Sequence, residues 1–166
     1  MSDPLEQLYQ RPGFLIRRAH QISVALFQQE AAELGGTTTQ FGALYIIHHH
    51  PGIDQIGLAS LGGFDRSTTA MVVRKLEEDG ALIRTADPED RRRKTLRLTK
   101  KGEDLLDSMY EPAAQAQQRS LEIFTQREAE RFLQLLDKFV SAHNDAVRTK
   151  VSSLRDKDKS VNKVDG

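Results

Sequence analysis

Apolar residues recur at helical spacing along most of the chain and switch to strand-like alternation in one stretch. Asp3-Pro4 with Glu6 marks a first helix start: a cap, a proline in the first turn and an acid beside it. Arg11-Pro12-Gly13 interrupts, and a long amphipathic helix is predicted from Phe14. Its stripe is Leu15, Ala19, Ile22 and Leu26, with Ile16, Ser23 and Phe27 alongside, and Leu34-Gly35-Gly36 ends it. Thr37 and Gln40 have the spacing of a capping box for a second helix. That helix carries Phe41, Leu44, Tyr45 and Ile47 and stops at Pro51-Gly52. A short third helix starts near Asp54 with Ile56, Leu58, Ala59 and Leu61, and Gly62-Gly63 turns the chain. Asp65 caps a fourth helix, in which Thr69, Val72, Val73 and Leu76 must face a core. Glu77, Glu78 and Asp79 crowd the end of this helix against the macrodipole, so its end suited to phosphate is Asp65 to Thr68. Gly80 is its stop.

Leu82–Thr85 and Thr95–Leu98 are the predicted strands, with Leu96 and Leu98 inward and Thr95 and Arg97 outward. The connection between them, Ala86 to Lys94, is too long and too charged for a minimal hairpin and reads as an extended wing. Thr99 caps a fifth helix with Leu105, Leu106, Met109 and Tyr110, and Pro112 is its expected kink. Thr125 and Glu128 repeat the capping-box spacing before a last helix with Phe132, Leu135, Leu136, Phe139 and Val140. From Thr149 the chain turns polar and reads as a frayed tail. The fold class expected is mainly α, a winged helix-turn-helix head with helical extensions on both sides. The expected segments are 1–36 (dimerisation and ligand pocket), 37–98 (the head), 99–148 (dimerisation helices) and 149–166 (the tail). The outer helices keep apolar stripes that so small a head cannot cover. A second copy of the chain is the simplest cover.

Charge changes this picture only through its distribution. The chain balances 24 basic against 24 acidic residues, yet Arg84 to Lys101 holds eight basic and three acidic ones. Positive potential is therefore concentrated on the wing and its flanks. Cysteine is absent, which excludes disulfides, thiol redox chemistry and cysteine-ligated metal. No apolar run has the length of a membrane span and the N-terminus lacks a signal-peptide pattern, so a soluble cytoplasmic protein is expected, with no membrane partner. His48-His49-His50 invites a metal reading, but successive helix residues point about 100° apart and do not converge on one ion. Neither a metal nor a cofactor is expected. There is no glycine-rich phosphate loop, GxSxG elbow or HExxH, so an enzyme is not expected either.

These residues, taken in order, resemble the MarR family of bacterial transcriptional regulators over roughly Pro12 to Val147. The most specific match is Asp87-Pro88-Glu89-Asp90-Arg91-Arg92 followed by Leu98-Thr99 and Gly102, which fits the family's DPxDRR…LTxxG pattern without a gap. Gln40-Phe41, Pro51-Gly52, Asp65-Arg66-Ser67-Thr68, Leu76-Glu77 and Gly80 match as well. Pro51 to Gln55 and Phe64 to Arg66 look like members that control aromatic-compound catabolism and respond to aromatic acids or their coenzyme A thioesters. Three positions depart from the common pattern. Gly62 stands where leucine is usual, Met71 where arginine is frequent, and Arg74 where aspartate is frequent.

The resemblance implies a homodimer that binds double-stranded DNA at a palindromic operator, with two half-sites about one helical turn apart, and acts as a repressor. The fourth helix would enter the major groove. Arg66, Ser67 and Thr68 lie at its start, Met71 can touch a thymine methyl, Arg74 can pair with guanine and Lys75 can meet phosphate. Ordinary helix-start chemistry is the competing account of Ser67 and Thr68. The resemblance gives Arg92 to the minor groove, oriented by Asp90, with Arg91, Arg93 and Lys94 on phosphates. For the effector, an aromatic carboxylate or its thioester, the candidates are Ile16, Arg17, Arg18, His20, Ser23 and Phe27 on the first long helix. Phe41, Tyr45 and His48 on the second join them. Surface ion pairs of Arg17 and Arg18, with an interior His20, are the competing account. A winged-helix module for protein–protein or RNA contact, without an operator, is the alternative function.

Overall fold

Side-chain caps set where most of the helices begin. The structure is a computed structural model that describes residues 3–86, 93–147 and 149–151. Asp3 accepts the Leu5 N–H and opens α1 (Pro4–Tyr9). The break after α1 falls at Gln10 and Arg11, and Pro12 starts α2 (Pro12–Glu30), two residues before the predicted start. At the first helical position its missing N–H has no partner to lose. A 3-10 turn at Ala32–Leu34 and a left-handed Gly35 lead to α3 (Thr38–His49). Both bonds of its capping box are present: Gln40 N–H to Thr37 Oγ1 at 3.2 Å and Thr37 N–H to Gln40 Oε1 at 2.9 Å. Asp54 caps α4 (Gln55–Gly62), left-handed Gly63 closes it, and Asp65 caps α5 (Arg66–Glu78). Strands β1 (Leu82–Ala86) and β2 (Lys94–Leu98) pair antiparallel, Leu82 opposite Leu98 and Ala86 opposite Lys94. Thr99 caps α6 (Lys100–Leu121), which runs through Pro112 as one helix, and Thr125 and Glu128 box the start of α7 (Gln126–Ala142).

The core lies where α3, α4, α5, the sheet and the first half of α6 meet. Leu44, Ile47, Leu58, Leu76, Leu96 and Met109 are among its fully buried side chains. The four inward positions predicted for α5, Thr69, Val72, Val73 and Leu76, are all buried. Phe27, Ala31 and Ala116 extend the core between α2 and α6.

Thr95 corrects the strand reading, because it is buried and not outward. The backbone after α3 runs along the free edge of β2: Gly52 N–H donates to the Leu96 carbonyl, Leu96 N–H to the Ile53 carbonyl, and Asp54 bridges Thr95. The Thr95 hydroxyl is matched to that of Thr85 at 2.9 Å, which satisfies it in the covered position.

No residue of α7 is buried. Phe132, Leu133, Leu135, Leu136, Phe139 and Val140 are all exposed, as are Leu15 and Ile22 on α2. Side chains of this size contribute about 1.5–3 kcal/mol each when buried. A helix that leaves six of them in water is a helix shaped for a partner surface. Among the described residues no helix is long and apolar enough to cross a membrane.

Candidate nucleic-acid interface and adjoining cavity

The start of α5 is organised by one carboxylate. Asp65 Oδ1 accepts the Thr68 N–H at 2.7 Å and the Ser67 hydroxyl at 2.7 Å, and Oδ2 accepts the Thr68 hydroxyl at 3.0 Å. The Thr68 N–H, then the two hydroxyls, hold the Asp65 carboxyl below its ordinary pKa. The hydroxyl protons of Ser67 and Thr68 thus point back at Asp65 and their lone pairs face out. Helix-start chemistry accounts for both groups in the unbound chain, and a donated bond to DNA requires one to turn away from Asp65.

Further along α5, Met71 is 68% exposed, and two cations follow it. Arg74 Nε donates to Glu78 Oε1 at 2.9 Å, with the side chains 75% and 56% exposed. Lys75 Nζ meets Asp79 Oδ1 at 2.7 Å, and this bond raises the lysine's pKa. Glu77 pairs with Arg84 of β1 at 2.9 Å. The three acids at the end of α5 are therefore each committed to a base. A groove of about 730 Å³ runs between α5 and the start of α3. Met71, Arg74, Lys75 and Glu78 form one wall, and Thr39 and Gln40 belong to the other.

The wing leaves from a braced root. Asp54 Oδ1 accepts the Gly57 N–H at 2.7 Å while Oδ2 receives Arg93 Nη2 at 2.9 Å. The Gly57 N–H foremost, and Arg93 with it, lower the Asp54 pKa against the opposing effect of burial. Arg93 thus joins the wing to the cap of α4, and Lys94 beside it is exposed in the first position of β2. Arg66 is exposed at the first position of α5. Asp90, Arg91 and Arg92 lie outside the described residues.

Two smaller apolar depressions flank Phe41. One, of about 260 Å³, lies between α2, α3 and α6 and is lined by Ser23, Phe27, Thr38, Phe41 and Gln117 among others. The second, of about 360 Å³, is lined by Phe41, Tyr45, Gly62 and Phe64 among others. Phe41 packs against Phe27, Tyr45 and Tyr110 with ring centroids 5.9, 6.1 and 6.0 Å apart. Of the residues expected at the effector, Ser23, Phe27, Phe41 and Tyr45 are brought together here. Ile16, Arg17, Arg18, His20 and His48 are exposed and line neither depression in the single chain. Arg17 and Arg18 both donate to Gln21 Oε1, at 3.2 and 2.9 Å, and Arg17 also lies over the Phe14 ring. The His48 and His49 rings are T-shaped to each other, and the described residues contain no group of three metal-ligating side chains.

Several lining residues escaped the sequence reading. Thr38 and Gln117 carry no periodic or motif signal that marks a pocket, while Phe64 opened the stretch resembling aromatic-responsive members without being read as a lining residue. Gly62 did stand out, as a departure from the family pattern, and the structure supplies the reason. A Cβ there would sit 2.4 Å from the Phe64 ring, so glycine makes room for that ring. On the groove side, the capping box at Thr37 and Gln40 was the available signal for the α3 wall.

Known proteins share this arrangement. Residues 37–94, which span α3 to the start of β2, match the MarR family model. The HTH-type transcriptional repressor NicR of Pseudomonas putida is 31% identical over 134 residues, which cover 81% of this chain and 85% of NicR. The PcaV transcriptional regulator of Streptomyces coelicolor, solved with its natural ligand, superposes with a TM-score of 0.76 at 32% identity, covering 86% of this chain and 97% of PcaV. The repressor CouR on a 23-mer DNA duplex superposes with a TM-score of 0.76 at 26% identity, covering 84% of this chain and 99% of CouR. A capped helix with exposed cations, a braced two-stranded wing and likeness to such repressors over more than four-fifths of the chain converge on one assignment: the chain belongs to the MarR family of DNA-binding winged-helix transcription regulators.

Proposed function

We propose that this protein is a homodimeric repressor released from a palindromic operator by a small aromatic acid or its coenzyme A thioester. One observation carries the reading: a single turn of α3 lines both places. Thr38 and Phe41 face the aromatic depressions, while Thr39 and Gln40 face the groove beside α5. Consecutive helix residues differ by about 100° in direction, so one rigid turn serves both walls. A ligand that wedges against Phe41 moves the helix that borders the reading face, by as much as its affinity differs between the two positions.

The ligand's ring would lie on Phe27, Phe41 and Tyr45. His20 and Ile16 continue the α2 stripe of Ser23 and Phe27 by one and two turns, which places them at the end of the same wall. Arg17 and Arg18 flank that stripe and are the cations for a carboxylate or thioester phosphate. His48 would belong to the outer rim. CouR has been solved with p-coumaroyl-CoA and PcaV with its natural ligand, which supports a ligand of this class.

On the DNA side, α5 would enter the major groove with Ser67, Thr68, Met71, Arg74 and Lys75 and with Arg66 at its start. Arg92, oriented by Asp90 and flanked by Arg91 and Lys94, would enter the minor groove. Arg93 would divide its donors between Asp54 and phosphate. Replacing Arg92 by Ala is expected to cost about 1–3 kcal/mol of DNA binding and to flatten its salt dependence. Titrated gel shifts on the protein's own upstream region at stated salt concentrations measure both, and an unchanged affinity and slope would remove the wing from the interface. The effector half is tested by a thermal-shift screen of aromatic acids and their thioesters. Hits are expected to raise Tm and to dissociate the gel-shift complex. A compound that stabilises the protein and leaves DNA bound would sink the release mechanism.

A further inference from the structure

The acids at the end of α5 sit where the helix macrodipole disfavours them. Two of them also pair in the weaker helical order, with the base preceding the acid by four residues. Exposed pairs of this kind contribute little to stability. Yet Glu78 holds Arg74 on the wall of the groove that faces outward from the reading helix, and it holds it by one particular atom. The bond runs from Nε. A guanidinium has five N–H donors, and occupying Nε leaves the four on the two terminal nitrogens uncommitted to Glu78, in a planar fork. That fork is what a bidentate contact with guanine O6 and N7 requires.

We infer that Glu78 is a specificity-determining positioning residue: it orients Arg74 end-on for one guanine and opposes the capture of phosphate by Arg74 elsewhere. The inference rests on the reading of α5 as the major-groove helix. Two effects follow from one carboxylate. Its acceptor oxygen fixes the plane of the guanidinium before DNA arrives. Its negative charge, repelled by any nearby phosphate, disfavours complexes in which Arg74 finds no guanine, because the carboxylate then meets the backbone without a matched fork beside it. Asp79 restrains Lys75 through the same spacing, but an ammonium is a point charge with no plane to set, so Lys75 gains no base preference from it.

The test uses the full-length protein and a duplex enriched from a random pool by the wild type, with a scrambled duplex as competitor. Glu78→Ala is expected to lower the ratio of selected to scrambled affinity about 5- to 10-fold, with the loss confined to one G·C pair in each half-site. Glu78→Gln keeps an acceptor for Nε and loses the charge. It is expected to bind scrambled DNA about 3-fold more tightly, with a salt slope steeper by up to about 1, while retaining the preference for that G·C pair. In an Arg74→Ala background, Glu78→Ala is expected to leave the preference at that pair unchanged. A ratio within twofold of wild type for Glu78→Ala overturns the inference, as does an equal loss when Arg74 is absent, which would mark a general charge effect. A wild-type protein that enriches no sequence overturns the major-groove reading itself, a result distinct from enrichment that is indifferent to Glu78.

Discussion

Replacing Gly102 by Ala is expected to destabilise the head by about 3 kcal/mol, a large effect for one methyl group. Gly102 lies in the first turn of α6, directly over the chain that leads from α5 into β1. A Cβ at this position would stand 2.0 Å from the Ala81 carbonyl oxygen and 3.0 Å from its carbon. The obstacle is backbone, which no side-chain rotation relieves. The same carbonyl accepts the Thr99 N–H at 3.1 Å, and the Thr99 hydroxyl donates to Gly80 O at 2.7 Å while it accepts the Gly102 N–H. Any shift that admits the methyl group therefore strains the clasp holding α6, α5 and the wing together. At roughly 2–4 °C per kcal/mol for a chain of this size, Tm should fall by about 6–12 °C. Gly13→Ala is the matched control. It also lies in the first turn of a helix, with nothing within 4 Å of a new Cβ, and should leave Tm unchanged or slightly higher. Equal melting of the two variants would show that the close approach at Gly102 does not constrain the fold.

The second large effect is expected at α7. Leu136→Glu should leave the head folded, because Leu136 is exposed in the single chain. It should separate the proposed dimer, because the charge falls in the middle of the apolar stripe of Phe132, Leu135, Phe139 and Val140. Two linked heads gain on the order of 100- to 10,000-fold in avidity over one, so operator affinity should fall by at least about 100-fold. Sedimentation at micromolar concentration would read the change in mass and a gel shift the change in affinity. A persistent dimer with full affinity would move the pairing surface away from α7. Near-UV circular dichroism and Tm of the variant distinguish loss of pairing from loss of folding.

Much of the local structure was legible because its signals are local. A cap bonds a backbone N–H two or three residues away, and a hydrophobic stripe needs only the helical repeat. Asp54, Asp65, Thr99 and both capping boxes were therefore readable as helix starts, and the inward set of α5 as core. Boundaries that depend on a single residue's chemistry moved slightly, as at Pro12. The reading of Thr95 fails because alternation shows which way a side chain points and not how deeply it is buried; the Gly52–Asp54 backbone that pairs along its strand is remote from Thr95 in sequence.

The candidate site divides along the same line. The exposed cations of α5 could be listed from the sequence, since residues that do not face the core must face something else. Their state could not. That Ser67 and Thr68 turn their protons to Asp65, that Arg93 reaches Asp54, and that Arg74 is held by Nε are choices among several partners of similar reach. Only packing makes such choices.

By itself, then, the sequence determined the order of helices and strands, the charged wing, the family and the face of α5 left exposed. All of these follow from short-range periodicity, caps and motif spacing. The tertiary structure alone decided that Gly102 must lack a side chain, that Gly62 houses the Phe64 ring, and that one turn of α3 lines both the aromatic depressions and the groove beside α5. Each of these depends on atoms brought together from separate elements, and distances of that kind exist only once the chain has folded.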